Sequence, residues 1–220
     1  AECFYGPPRF CVDNQKWYIY NRGIWKVDKG DIQAQGNMQR LLQLLHLYCS
    51  EVDADPEIIK NYKTYVSKSS SDTILRRALN ASKNNLVINL TDFDSDPYLL
   101  NCRNGVYDMR EQKFRFAKPE DYFTLSVTCD YPTGINVREC DRWYSFVDEI
   151  MEGDKEKAAF LQRALGYSLL GVNREECMFL AYGRTRSGKG TLFNTIAKVL
   201  GMGTDNGYGG SITSSLVCES

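Results

Sequence analysis

The sequence is poor in the residues that hold metals. Its 220 residues contain one histidine, His46, and its eight cysteines (3, 11, 49, 102, 129, 140, 177 and 218) form no CxxC pair. Zinc held by its usual ligand spacings is therefore disfavoured. His46 reads as an ordinary core or surface side chain of a helix, and the scattered cysteines read as free buried thiols in a reducing compartment. Excess charge of one sign is also missing. With 27 Lys and Arg against 28 Asp and Glu, no chain-wide basic field argues for nucleic acid, and any such contact must come from a local patch. No run approaches the ~18 apolar residues of a membrane span, and the start AECFYGPPRF lacks the charged and apolar segments of a secretion signal. These absences read as a soluble, cytoplasmic protein. The start also lacks an initiator methionine, which reads as a fragment. With 43% hydrophobic residues, there is apolar material for one large domain or two modest ones.

Against these absences stand several local signals. KWYIYNRGIWKVD, residues 16–28, holds two aromatic and β-branched runs about Asn21-Arg22-Gly23 and predicts a β-hairpin. Trp17, Tyr18, Tyr20 and Trp25 could stack on bases, but packing against a neighbouring helix is the commoner use of such a hairpin. From Asp31 to about Val52 the positions Leu41, Leu42, Leu44, Leu45, Leu47 and Tyr48 recur as a helix face. Further helices are expected near 56–66 and from Asp72, placed as a cap, to about Asn80. NGVYDM and KFRFA alternate as two strands about Arg110-Glu111-Gln112. The alternation Asp92, Asp94, Asp96 looks like half of a calcium loop, but no Gly or Glu follows at the required offsets, so these are read as turn residues. DRWYSFVDEIME and DKEKAAFLQRALGYSLLG predict two helices, the second opening on Asp154 and closing on Gly171.

ECMFLAYG, ahead of Gly183, is a short apolar run without alternation, the pattern of a strand buried on both faces of a parallel sheet. GRTRSGKGT follows at residues 183–191, and then the helical run LFNTIAKVLG. Gly183-x4-Gly188-Lys189 has the spacing of a Walker A P-loop in its strand, turn and helix context. The chemistry needs each part: glycines let backbone N–H groups turn toward phosphate, the lysine neutralises β and γ charge, and the helix N-terminus adds partial positive charge. Gly183, Ser187, Gly188, Lys189, Gly190 and Thr191 are the candidate nucleotide-binding residues. Gly190 stands where a Ser or Thr usually holds Mg²⁺, leaving Thr191, one place later, as the candidate metal partner. No apolar strand ending in acidic residues follows Leu200, so the catalytic half of a nucleotide domain is absent from the sequence. The tail from Gly201, with five glycines and four serines in twenty residues, is expected to be loose.

In order, DPYLLNCRNGVYDM, a short strand, PEDYFT, a Trp-containing helix, LQRALGYSLLG and FLAYGRTRSGKGTLFNTIAKVLG resemble the phage and plasmid primase–helicases of helicase superfamily three, related to the poxvirus-type primase–helicase. The resemblance runs from about Trp17 to Gly201. It implies an ATP-driven, Mg²⁺-dependent helicase, a homo-oligomeric ring (usually a hexamer) acting on single-stranded or forked DNA in replication, often with a primase domain upstream. By this resemblance Gly183, Gly188 and Lys189 bind phosphate. The family's Walker B acids, polar sensor, arginine finger and DNA-contacting hairpin match nothing in the sequence.

The fold expected is an α+β amino-terminal domain of helices and β-hairpins over 1–140, a helical connector over 141–175, and the first strand, P-loop and helix of a truncated α/β P-loop NTPase domain over 176–220. The leading functional reading is a piece of such a helicase, excised or left by a truncated prophage gene, whose parent couples ATP hydrolysis to unwinding while the chain alone does neither. The second is a non-catalytic DNA- or subunit-binding module with a remnant loop. Its phosphate contacts would come from Arg76, Arg77 and Lys83, or from Arg103, Arg110, Lys113 and Arg115, although a solvated face is the commoner role of such groups. A small-molecule kinase ranks last, since its loop would stand near the start of a complete sheet.

Overall fold

The Arg22-Gly23 turn is where the first sheet begins to assemble. Both residues have positive φ, 48° and 91°, as a two-residue hairpin loop of the primed type requires. They join β2 (Lys16–Asn21) to β3 (Ile24–Val27), in register through Asn21↔Ile24 and Tyr18↔Val27. β1 (Arg9–Cys11) adds antiparallel to β2, and β4 (Val87–Ile88) adds parallel to β1, giving the order β3-β2-β1-β4. The computed structural model describes residues 7–134 and 140–212. These fall into two compact units, one ending at Phe93 and the other beginning at Asp94.

In the first unit the hairpin's aromatics are core. Trp17 and Trp25 are each 1% exposed, and Tyr18 and Tyr20 are also buried. Trp17 packs on Phe10 with ring centres 5.2 Å apart, beside Ile19, Ala34 and Leu79. None of the four therefore offers a free face to a base. Three helices complete the unit: α1 (Ile32–Glu51), α2 (Pro56–Ser69) and α3 (Asp72–Ser82). α1 is started by Asp28, a buried residue whose carboxylate accepts from Gln33 N (3.1 Å) and Ala34 N (2.8 Å), satisfying two of the orphan donors of the first turn. The expected leucine face of α1 is only partly used, because Leu41, Leu44, Leu47 and Tyr48 are at least half exposed and the buried positions are Ala34 and Cys49. Asp72 does not cap α3. Ser71 holds the cap position, and Asp72, inside the first turn, pairs with Arg76 at 2.8 Å.

The second unit is built on an antiparallel meander, β5 (Leu99–Cys102), β6 (Gly105–Asp108) and β7 (Lys113–Arg115). The predicted turn after β6 is present: Asp108 Oδ1 accepts from Arg110 N and Glu111 N, and Gln112 takes a left-handed φ of 54°. Tyr131 stacks on Tyr107 and Phe114, with ring centres 4.9 and 4.8 Å away. Each acid of the Asp92, Asp94, Asp96 series has a turn or bridging role. Asp92 receives Asn89 N, Asp94 receives the N–H and hydroxyl of Thr124, and Asp96 takes a bidentate pair from Arg110 at 2.8 and 2.9 Å. No group of three potential metal ligands occurs among the described residues.

α4 (Asp141–Ile150), α5 (Lys155–Tyr167) and α6 (Lys189–Val199) follow. Asp154 caps α5 as expected, accepting from Glu156 N and Lys157 N. The helix ends at Tyr167, short of Gly171, whose N–H instead donates to Pro97 O at 2.9 Å. A side chain at 171 would come within 2.9 Å of Pro97 Cα, so the glycine serves close approach rather than helix termination.

Residues 176–183 form no strand, and Met178, Leu180 and Tyr182 are 80%, 78% and 91% exposed. A doubly buried strand needs neighbours on both sides, and neither sheet extends to this segment. The tail is firmer than expected as far as Gly209. Asn206 O accepts from Ser126 N, Leu200 O accepts from Gly209 N, and the Tyr208 hydroxyl accepts from Asn101 N. The expectation for residues 213–220 lies outside the described residues. Of the six described cysteines, Cys11, Cys49 and Cys102 are buried and Cys129, Cys140 and Cys177 exposed, so burial holds for half of them. Burial pushes the Cys102 thiol up to about 11, with smaller contributions from Cys129 and Asp130. No helix among the described residues is long and apolar enough to cross a membrane.

Arg110 also sets an acid limit on this unit. Its hydrogen bonds hold the Asp96 carboxyl below the ordinary carboxylate value, against a smaller opposing effect of burial. A depressed carboxylate contributes stability that is complete above its unfolded value near 3.9 and is lost as pH falls through the folded value. Urea midpoints from pH 7 to pH 2 should therefore show a steeper acid decline for the wild-type chain than for Asp96→Asn; equal slopes would refute this role for the pair.

Candidate nucleotide-binding loop

Residues 183–191 combine left-handed backbone with a lysine turned back on its own loop. Gly188 is the N-cap of α6, at φ 85° and ψ −6°, and Leu192 N donates to Gly188 O at 3.0 Å to close the first helical turn. Lys189, the first helical residue, sends its ammonium back across the loop, donating to Gly183 O (2.9 Å), Arg184 O (2.8 Å) and Ser187 Oγ (3.1 Å). The structure thus brings Gly183, Arg184 and Ser187 around the Lys189 ammonium, with Gly188 at the head of the helix. Gly190 and Thr191 lie on the exposed outer turn of α6, and the Thr191 carbonyl accepts from Thr195 Oγ1.

All three partners of the ammonium are neutral. Among the described residues no carboxylate lies within ion-pair distance of Lys189, Arg184 or Arg186. Three cations within six residues thus have no ion-pair partner among the described residues at a helix N-terminus, where partial positive charge already favours an anion.

Gly188 is required by its surroundings as well as by its φ. A Cβ there would lie 2.6 Å from Ile150 Cγ2 and 3.5 Å from Phe146 Cε2, both on α4. Sequence reading identified the loop but not this support, because the two partners lie some forty positions upstream.

The two basic groups proposed for nucleic acid fare differently. Arg110 pairs with Asp96, and Arg115 pairs bidentately with Asp121 at 2.8 Å. Arg103 lies 3.2 Å from Asp130, and Lys113 lies 3.8 Å from Glu111. Every member of the second group is thus matched with a carboxylate. In the first group Arg76 is paired with Asp72, and Lys83 lies over the Phe10 ring at 4.3 Å.

Gly188→Ala would combine left-handed backbone strain with overlap against Ile150. A loss of about 2–4 kcal/mol is expected in urea unfolding, whereas the neighbouring Gly190→Ala, open on all sides, should cost nothing and can stabilise α6. Equal stabilities of the two variants would contradict the packing described.

The family model described as D5 N terminal like matches residues 7–152. Among curated proteins, "Primase D5" of Fowlpox virus (strain NVSL) is 23% identical over 211 residues, covering 89% of this chain and 26% of the relative. "Putative helicase L207/L206" of Acanthamoeba polyphaga mimivirus is 27% identical over 115 residues, covering 51% of this chain and 12% of the relative. The chain thus spans about a quarter of the first relative and less of the second. The matched region takes in both sheets and ends beyond α4, just before α5, and on that ground the chain belongs to the D5 N terminal like family, that of the D5-type primase–helicases.

Proposed function

We propose that the chain is part of a replicative primase–helicase whose parent couples ATP hydrolysis to DNA unwinding, and that residues 183–191 are its Walker A P-loop. What carries this reading is the Lys189 ammonium, held among the described residues by neutral groups at the mouth of α6. A charge kept in place without a counter-ion is prepared for an anion. Gly183, Ser187, Gly188, Lys189 and Gly190 would hold the phosphates of ATP, and the Thr191 hydroxyl would face Mg²⁺. ATP supplies the phosphoryl group whose hydrolysis drives such a motor. The residues of this chain bind and orient it, with Lys189 exchanging carbonyl partners for phosphate oxygens. The Walker B acids and arginine finger expected of the family have no counterpart in the sequence, so the chain alone binds nucleotide without turning it over. The division at residues 140 and 175 into pre-motor domain, connector and motor start, the ring-shaped hexameric assembly, the cytoplasmic setting and the prophage origin belong to the same proposal.

Calorimetry with Mg²⁺-ATP on the 220-residue chain tests it. Binding weakened at least tenfold, about 1.4 kcal/mol, in Lys189→Ala, with no steady-state hydrolysis in either protein, is the expected result. Equal binding by both proteins would remove the loop from the site, and turnover by the wild-type chain would refute the claim of inactivity.

For the DNA partner, a basic surface is offered by α2 and α3, where Lys60, Lys63, Lys68 and Arg77 make no ion pair among the described residues. Residues 58–83 carry Lys60, Lys63, Lys68, Arg76, Arg77 and Lys83 against the single acid Asp72, and Tyr62 and Tyr65 are exposed beside each other, with ring centres 6.4 Å apart. Cations with interleaved aromatics suit a single strand, whose phosphates and bases they meet together. The double variant Lys60→Ala, Lys68→Ala should weaken binding of a fluorescent single strand and lower the slope of log K against log salt by about 0.7 per lost contact. A slope identical to wild type would direct the search elsewhere.

A further inference from the structure

α6 is held at both ends by residues far upstream of it. At its carboxyl end Thr128 N donates to Val199 O at 2.9 Å, while Thr128 Oγ1 donates to Lys198 O at 2.6 Å and reaches Val199 O at 3.3 Å. One residue, seventy positions back, thus satisfies two of the carbonyls that the last turn of a helix leaves without partners. The contact continues past the helix, where Ser126 N donates to Asn206 O at 2.7 Å and Asn206 Nδ2 donates to Thr124 O at 2.9 Å. The same stretch is fastened on its other side to β5, with Val127 N donating to Asn101 O at 2.9 Å and Asn101 Nδ2 donating to Leu125 O at 2.9 Å. At its amino end Gly188 rests on Ile150, at a distance that admits no Cβ, with Phe146 in van der Waals reach.

We propose that Thr128 and Ile150 are positioning residues for the nucleotide loop. Thr128 fixes α6 along its axis by two hydrogen bonds to its last carbonyls, and Ile150 sets the height of Gly188, so the loop takes its place from β5 and α4. A helix of eleven residues is about 16 Å long, and a rigid rod anchored at one end transmits a small displacement to the other. Thr128 is itself exposed, so removing its hydroxyl takes away little packing and chiefly the bond to Lys198 O, leaving the backbone bond from Thr128 N to Val199 O in place. The inference deepens the nucleotide reading and rests on it for the ligand, while the placement of α6 is testable without nucleotide.

The experiment is amide hydrogen exchange by mass spectrometry on the full 220-residue chain, paired with Mg²⁺-ATP titration, for wild type, Thr128→Val, Thr128→Ser and Ile150→Val. In Thr128→Val, exchange across residues 184–202 should rise about tenfold while peptides of the first unit stay unchanged, and Mg²⁺-ATP affinity should fall three- to tenfold. Thr128→Ser, which keeps the hydroxyl, should restore both. Ile150→Val, a mild change that preserves folding, should speed exchange at 184–190 more than at 196–202. Unchanged exchange in Thr128→Val overturns the proposal, as does faster exchange with unaltered affinity, which would make the tie a stability contact alone. If the wild-type chain binds no Mg²⁺-ATP at millimolar concentration, the nucleotide reading fails, and the exchange arm alone then decides whether Thr128 and Ile150 place the loop.

Discussion

Residues 124–128 belong to neither sheet, so every buried amide and carbonyl among them must find a partner elsewhere. They find partners on two sides. Asn101 serves one side through its backbone carbonyl and side-chain amide, and Lys198, Val199 and Asn206 serve the other. Asp94 fixes the start of the stretch, receiving Thr124 through backbone and hydroxyl and Leu125 N at 3.3 Å. The meander, α6 and the turns after it are therefore joined through five residues. Without this stretch the second unit would be a small sheet and three helices with little to orient them.

The same economy governs its charges. Arg110 and Arg115 each close a bidentate pair across a turn, with Asp96 and with Asp121, and such forks resist distortion better than single contacts. Asp121 also accepts from Lys118 N. Basic residues that look like a phosphate-binding cluster in the linear sequence are thus used up as internal bracing. The cations of residues 183–191 and of α2 carry no such bracing among the described residues.

Local features were legible in the sequence because their causes are local. The Arg22-Gly23 turn and the Asp154 cap depend on residues a few positions apart, as does the glycine spacing of residues 183–191, though not the packing beneath Gly188. Distant causes were not legible. β1 and β4 are short strands whose pairing joins Phe10 to Val87, and no periodicity within three residues announces that. Asp28 looks like a turn residue until α1 folds back on it. The run CMFLAY has the composition of a buried strand, but burial is a property of neighbours, and here its residues are exposed, with Phe179 edge-on to Phe160 and Tyr167. The glycine-rich stretch after α6 reads as loose by composition, yet Asn206 and Tyr208 tie it down, and burial holds the Tyr208 phenol well above its usual value.

That exposed run bears on solubility. Six consecutive apolar residues of high strand propensity, open to solvent, are the kind of segment through which chains associate edge to edge. Here Arg174, Glu175 and Glu176 stand before it, and Arg184 and Arg186 follow. Flanking charges of this kind act as gatekeepers, because stacking identical chains would bring like charges together at every layer. Arg184 and Arg186 would thus oppose the recruitment of further copies by the apolar run beside them.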